Sequence, residues 1–202
     1  MQNHTVFIVD DEDVIRDSIA MLMRSVGLRT QTFPDAASFL RDYRPEQPGC
    51  LILDVRMPRI GGLELQTELN RRGWTLPVIF ITGHGDVPMA VEAMRAGAVD
   101  FLQKPFKDDD LIRRVQKALE QDARERETLQ KKEELRLRYA ELTAREAEVA
   151  QRIVSGQANK AIALDLGLSE RTVELHRAHA MQKMGARSVA QLVQMLLQLG
   201  QT

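Results

Sequence analysis

Five short runs rich in β-branched and aromatic residues, each separated from the next by a helical pattern, constrain this chain more than any other feature. They read Thr5 to Asp10, Arg29 to Phe33, Cys50 to Asp54, Pro77 to Thr82 and Asp100 to Gln103. Strands that alternate with helices form a parallel sheet with helices on its faces. Glycines at 27, 73 and 97 end helices predicted over Asp13 to Val26, Leu63 to Arg72 and Val87 to Ala96, where a left-handed C-cap is free of Cβ strain. The third run is almost wholly apolar, which predicts a central strand buried on both faces.

The runs end in polar chemistry. Asp10 and Asp11 follow or close the first, Asp54 closes the third, Thr82 closes the fourth and Lys104 follows the fifth. In a parallel sheet these ends share one edge, and ligands of open α/β sheets bind outside it, where the strand order reverses. Taken singly, each residue has a plainer reading: an acid that caps the first helix, a surface lysine, a strand terminus. Together they predict one pocket. Its crowded carboxylates call for a cation, and such oxygen ligands suit Mg²⁺, which keeps several waters and takes a few carboxylates plus phosphate oxygens. Asp54 is the best-placed nucleophile for a phosphoryl group, and Lys104 with the metal would offset charge on the group in transfer. Thr82 would hydrogen-bond the added phosphoryl oxygen and so move the Gly83-His84-Gly85 loop.

At 202 residues the chain is long enough for two domains, and its 28 basic and 29 acidic residues leave it nearly neutral, so bulk charge selects no partner. The single cysteine, Cys50, lies in a strand-like run and reads as a buried, reduced thiol. No stretch approaches the ~18 apolar residues of a membrane span, and Met1-Gln2-Asn3-His4 leads straight into the first strand. No membrane partner is expected, and the expected location is cytoplasmic. From Asp108 to Tyr139 there is neither proline nor glycine, and beyond Leu119 Glu, Arg, Lys and Gln dominate. This predicts a long solvated helix, with a linker at 121–140 joining domains at 1–120 and 141–202. A flexible charged tether and a short coiled coil stay open as alternatives.

After Leu142 the punctuation is all helical. Thr143 and Glu146 make a capping box, Gly156 ends that helix, Gln157 to Asp165 forms the next, Leu166-Gly167-Leu168 is a tight turn, and Ser169 caps a helix over Glu170 to Met184. A last helix is predicted over Ser188 to Leu199. Two helices joined by a tight glycine turn are the layout of a helix-turn-helix, whose second helix enters the DNA major groove. Val173, Ala180 and Met184 fall on the inward face of that helix, while Glu170, Arg171, Glu174, Arg177 and Ala178 lie largely opposite. Lys160, Arg171, Arg177 and Lys183 would contact phosphates. Residues 141–202 hold 7 Lys and Arg against 6 Asp and Glu, so on charge a helical bundle for dimerisation stays open.

The motifs resemble a known family. Phe7-Ile8-Val9-Asp10-Asp11-Glu12, Leu53-Asp54-Val55-Arg56-Met57-Pro58 with Gly61-Gly62, Ile81-Thr82-Gly83-His84-Gly85-Asp86 and Gln103-Lys104-Pro105-Phe106 resemble the receiver domain of two-component response regulators over about residues 5–120. Residues 83–100 are similar to the FixJ subgroup. The resemblance implies a five-stranded, doubly wound, flavodoxin-like (CheY-like) fold and phosphorylation of Asp54 by a histidine kinase. It also implies Mg²⁺ held by Asp11, Asp54 and the backbone carbonyl of Arg56 with Asp10 assisting, and a Lys104-Pro105 peptide that is often cis. Phe101 stands at the family's rotating aromatic, where the lack of a hydroxyl leaves switching to packing. The first receiver helix, with Ile15, Ile19 and Met23, is the family's usual kinase-docking element.

Leu142-Thr143-Ala144-Arg145-Glu146, Asn159-Lys160 with Ile162-Ala163, Leu166-Gly167-Leu168-Ser169, Arg171-Thr172-Val173 with His176-Arg177, and Lys183-Met184-Gly185 with Arg187-Ser188 resemble the LuxR-type DNA-binding domain. By that resemblance Glu174, Leu175 and Ala178 match base-facing positions, and Lys160, Thr172 and Arg177 match backbone contacts. Glu174 would accept from a cytosine amino group.

The combination implies a transcription regulator, expected to be an activator with promoter DNA and RNA polymerase as partners. It is not an enzyme in the turnover sense; slow autodephosphorylation would act as a timer, with Arg56 and His84 as modulators or solvated loop residues. Phosphorylation is expected to drive homodimerisation through the helix Val87 to Ala96, the strand after it and the start of the last receiver helix, with Met89, Val91, Met94 and Ala98 as the apolar contacts. A relay module whose C-terminal helices bind protein is the alternative. A stand-alone Mg²⁺-dependent phosphatase lacks a water-activating base beside Asp54.

Overall fold

A computed structural model describes residues 4–83 and 87–200. The chain divides into two compact units, residues 1–125 and 126–202. In the first, strands β1 (Thr5–Val9), β2 (Arg29–Phe33), β3 (Gly49–Asp54), β4 (Val78–Thr82) and β5 (Asp100–Gln103) form one sheet of order β2-β1-β3-β4-β5. Every neighbouring pair is parallel. The helices between them are α1 (Asp13–Ser25), α2 (Ala36–Asp42), α3 (Gly62–Arg71) and α4 (Val87–Arg95), followed by α5 (Asp108–Ala140). Strand order reverses between β1 and β3, so the crevice at the carboxyl edge opens where Asp10 and Asp54 leave their strands.

The period-two alternation of a strand divides the core into two layers. Phe7, Val9, Leu51, Leu53, Val78 and Phe80 point to one face and pack with residues of α2 and α3. Val6, Ile8, Cys50, Ile52, Ile79 and Ile81 point to the other and pack with α1 and the start of α5. All six residues of β3 are buried, as expected for a central strand. Burial pushes the Cys50 thiol well above its ordinary pKa, with the charge of Asp122 adding to the effect.

The first unit reaches beyond residue 120 because the early turns of α5 belong to its core. Leu111, Val115, Ala118 and Leu119 are buried, and the buried Asp122 carboxylate accepts the Gly49 backbone N–H at 2.9 Å, tying α5 to the start of β3. Further along, α5 is solvated and carries Glu120–Arg124, Glu127–Lys131 and Glu134–Arg138 pairs at i,i+4, with the acid N-terminal as the helix dipole favours.

The second unit is helical: α6 (Ala144–Val154), α7 (Asn159–Leu166), α8 (Glu170–Met184) and α9 (Val189–Gln198), with the last turns of α5. Thr143, Ser169 and Ser188 each accept the backbone N–H three residues on. Gly167, at φ 65, makes the turn from α7 into α8. Val149, Ile162 and Val173 form one buried cluster; Ala150, Ala180, Met184, Leu192 and Leu196 form another, against which Leu135 and Tyr139 of α5 pack.

Candidate functional site

Three strand ends meet at one ammonium. Lys104 Nζ donates to Asp10 Oδ2 at 2.7 Å and to Asp54 Oδ1 at 2.9 Å, although these residues are far apart in sequence. Asp10 is fully buried and Asp54 is 6% exposed. The other oxygen of each carboxylate accepts a backbone N–H two residues on, Glu12 to Asp10 at 2.9 Å and Arg56 to Asp54 at 2.7 Å. Each acid is thereby held in place as its strand turns into the following loop. The Lys104-Pro105 peptide is cis.

Two buried carboxylates share one cation, so the pocket retains net negative charge. Burial raises the pKa of Asp54 against the opposing hydrogen bond and charge of Lys104. Burial also opposes the charge on Lys104, but its bonds to Asp10 and Asp54 outweigh that and hold its pKa above the ordinary value. Among the described residues no three Asp, Glu, His or Cys side chains form a ready-made cation cage. Two fixed carboxylates with the exposed Asp11 beside them nevertheless suit Mg²⁺, which binds through one or two carboxylates and leaves positions for water and phosphate oxygen.

Thr82 is buried at the end of β4, and its carbonyl accepts the Lys104 backbone N–H at 2.8 Å. Phe101, half-buried on β5, packs against the core layer that contains Phe80 and Ala93. Arg56 is exposed beside the pocket, whereas the expectations for His84 and its loop beyond Gly83 lie outside the described residues. One pocket residue had no sequence signal other than its helical spacing: Arg16 on α1 donates to the Asp10 carbonyl at 2.7 Å and pairs with Asp13.

The structure redraws two expected surfaces. Of the apolar residues around α4, Val91 and Met94 are exposed and Met89 is half-buried, but Ala98 turns inward after Gly97 and joins the core with Ala93. Ala98 is therefore withdrawn as a contact for a second copy. On α1, Met23 is fully buried and Ile19 nearly so, because their helical spacing turns them to the sheet. Met23 is unavailable to a docking partner. Ile15 and Ile19 instead line a cavity of about 460 Å³ with Leu22, Pro105 and Phe106, while Val14 and Met21 form the exposed apolar side of α1.

In the second unit the outer side of α8 carries Arg171, Glu174, Leu175 and Ala178, all exposed, with Thr172 and Arg177 half-buried; Lys160 is exposed on α7. Val173, Ala180 and Met184 are fully buried, as their spacing predicts. Thr172 shares a 2.7 Å hydroxyl contact with Ser169. Lys183 is a correction: its Nζ donates to Glu146 Oε2 at 2.6 Å and to the Glu141 carbonyl at 3.2 Å, so it is committed inside the unit rather than to a phosphate.

The Lys183 bond and the Thr143 backbone N–H pull the Glu146 pKa down to about 2. A depressed carboxylate contributes stability above its unfolded pKa of about 4.3 and loses it as pH falls through the folded value. Amide exchange of α6 should therefore show wild type more protected than Glu146→Gln at neutral pH, with the gap closing between about pH 4.5 and about pH 2. A gap that persists unchanged to the acid end would disprove the assignment.

Comparison with known proteins covers both units. Residues 6–116 match the response regulator receiver domain, and residues 140–196 match the bacterial regulatory proteins of the luxR family. The transcriptional regulatory protein FixJ of Azorhizobium caulinodans is 48% identical over 195 residues, which is 96% of this chain and 92% of that protein. Among solved structures, response regulator StyR superposes with a TM-score of 0.88 at 43% identity, covering 96% of this chain and 98% of that one. Full-length FixJ from B. japonicum does so with a TM-score of 0.61 at 37% identity, covering all of both chains.

Proposed function

Because the chain belongs to the two-component response regulators whose receiver domain is joined to a LuxR-type DNA-binding domain, and is thus a transcription regulator, we propose that a histidine kinase phosphorylates it on Asp54 and that the phosphorylated form dimerises on promoter DNA. The observation that carries this reading is the buried Asp54 carboxylate, 2.9 Å from Lys104 at the strand edge where β1, β3 and β5 bring their functional groups together.

The Asp54 carboxylate attacks the phosphorus of the kinase phosphohistidine. A P–O bond forms as the P–N bond breaks, and the imidazole keeps the leaving electron pair. Asp10, Asp11 and Asp54 with the Arg56 carbonyl would hold Mg²⁺, which when bound offsets charge on the phosphoryl oxygens. Lys104 releases one carboxylate and turns to a phosphoryl oxygen. The added charge of about −1.5 to −2 then draws the Thr82 hydroxyl, and the strand end shifts with it. Phe101 repacks in response, and Met89, Val91 and Met94 on α4 become the face that meets a second copy.

In the dimer two α8 helices reach half-sites about one helical turn apart. Glu174, Leu175 and Ala178 face the bases, while Lys160, Thr172 and Arg177 contact the backbone. The solvated stretch of α5 between Asp122 and Leu135, narrower than the expected 121–140, serves as the linker between the receiver and DNA-binding domains. We place the regulator in the cytoplasm as an activator that meets RNA polymerase on the promoter; among the described residues no helix is long and apolar enough to cross a membrane.

Light scattering with Mg²⁺ and beryllofluoride tests the switch. Wild type should double in mass and Asp54→Asn should not. No shift in wild type would refute phosphorylation-driven dimerisation.

A further inference from the structure

We infer that Arg138, near the end of α5, is a positioning residue for DNA reading because it fixes the C-terminal end of the recognition helix α8. The last carbonyls of a helix lack partners within it. Here Arg138 Nη1 donates to the Met184 carbonyl at 3.0 Å, and Glu134, one turn earlier on α5, holds the guanidinium at 2.6 Å. The cation also sits where the negative end of the α8 dipole favours it. Gly185 follows at φ 72, and a Cβ there would collide with the Arg138 guanidinium. The close approach thus matches both the charge and the shape of this helix end. Lys183, bonded to the Glu141 carbonyl and to Glu146, grips the same end from the α5–α6 junction.

The lever is long. Glu174 lies about ten residues from the gripped end, or about 15 Å at the rise of an α-helix, so a tilt of about 10° moves it by about 2.5 Å. A base contact tolerates far less than that, whereas phosphate attraction hardly depends on it. Loss of Arg138 is therefore expected to weaken sequence discrimination selectively. The inference rests on the reading of α8 as the base-facing helix.

The test uses the full chain activated with Mg²⁺ and beryllofluoride, a duplex enriched by the activated wild type from a randomised pool, and a scrambled duplex of equal length. Arg138→Gln should lower the ratio of affinities for the two about tenfold, comparable to losing one good base contact, while scrambled-duplex affinity and its salt dependence stay as in wild type. Arg138→Lys, which still donates to the carbonyl, should restore most of the ratio. Glu174→Ala combined with Leu175→Ala serves as control for the helix itself. If that pair lowers the ratio and Arg138→Gln does not, the positioning role is overturned while the reading of α8 stands. If neither changes it, the reading of α8 fails and the inference with it. Equal loss on both duplexes for Arg138→Gln would instead make Arg138 a phosphate contact and overturn the proposal. Should Arg138→Gln fail to fold, Glu134→Gln releases the guanidinium from its anchor and should lower the ratio in the same direction; an unchanged ratio there overturns the proposal.

Discussion

Lys104→Ala is expected to destabilise the sheet unit by about 3 kcal/mol at neutral pH, near the lower end of what breaking a buried ion pair costs. The substitution leaves Asp10, fully buried, and Asp54, almost so, without the ammonium that now lies 2.7 Å and 2.9 Å from them. Two unpaired carboxylates in one crevice repel each other and lose solvation together. Asp54→Asn should act in the opposite sense, raising stability by about 1 kcal/mol, because it leaves Asp10 and Lys104 as a balanced pair. The sign agrees with the raised pKa of Asp54, whose burial outweighs its pairing. A carboxyl with a raised folded pKa favours folding below its unfolded pKa of about 3.9, and that advantage is lost as pH rises through the folded value. At neutral pH the ionised Asp54 thus costs stability, as reactive groups in binding sites often do. Mg²⁺ should stabilise Lys104→Ala more than wild type, because the ammonium no longer offsets the two carboxylates, and Asp54→Asn less, because one carboxylate is gone, since a ligand of the native state adds stability that grows with its affinity. Urea unfolding of the three proteins decides this, and a Lys104→Ala variant as stable as wild type would contradict the charge balance described here.

Gly62→Ala should cost up to about 3 kcal/mol, the upper end for overpacking a well-packed site. Gly62 opens α3 and donates its backbone N–H to the Val55 carbonyl at 2.9 Å. An added Cβ would collide with the Asp54 carbonyl and lie 3.0 Å from the Phe80 ring. Neither neighbour is a flexible side-chain end, so β3 itself has to move. The same displacement shifts Asp54 against Lys104, and phosphorylation by acetyl phosphate should slow along with the loss of stability. Wild-type urea midpoints and phosphorylation rates in Gly62→Ala would show that the close approach carries no constraint.

Much of the pocket was legible in sequence because its members mark strand ends. Asp54, Thr82 and Lys104 each stand where an apolar run stops, and parallel pairing places such stops on one edge. The helix-turn-helix was legible for a similar reason: Thr143, Ser169 and Gly167 are caps and a turn whose chemistry acts within three or four residues. What sequence missed follows from contacts between distant segments. Lys183 looked like one more basic residue beside DNA, yet its partner Glu146 lies 37 positions earlier. Ala98 and Met23 looked available for partners, yet packing turned both inward.

The sequence alone determined the alternation of strands and helices, the caps, the turn before α8 and the set of polar groups at the sheet edge, because period, capping and turn chemistry are local and each acts within a few residues. Only the tertiary structure decided that Lys104 bridges Asp10 and Asp54 across 94 and 50 positions, that Asp122 anchors α5 to β3, and that Arg138 and Lys183 grip the end of α8. Those pairings depend on which faces meet once the core layers close, and burial then selects the charges that must find a partner.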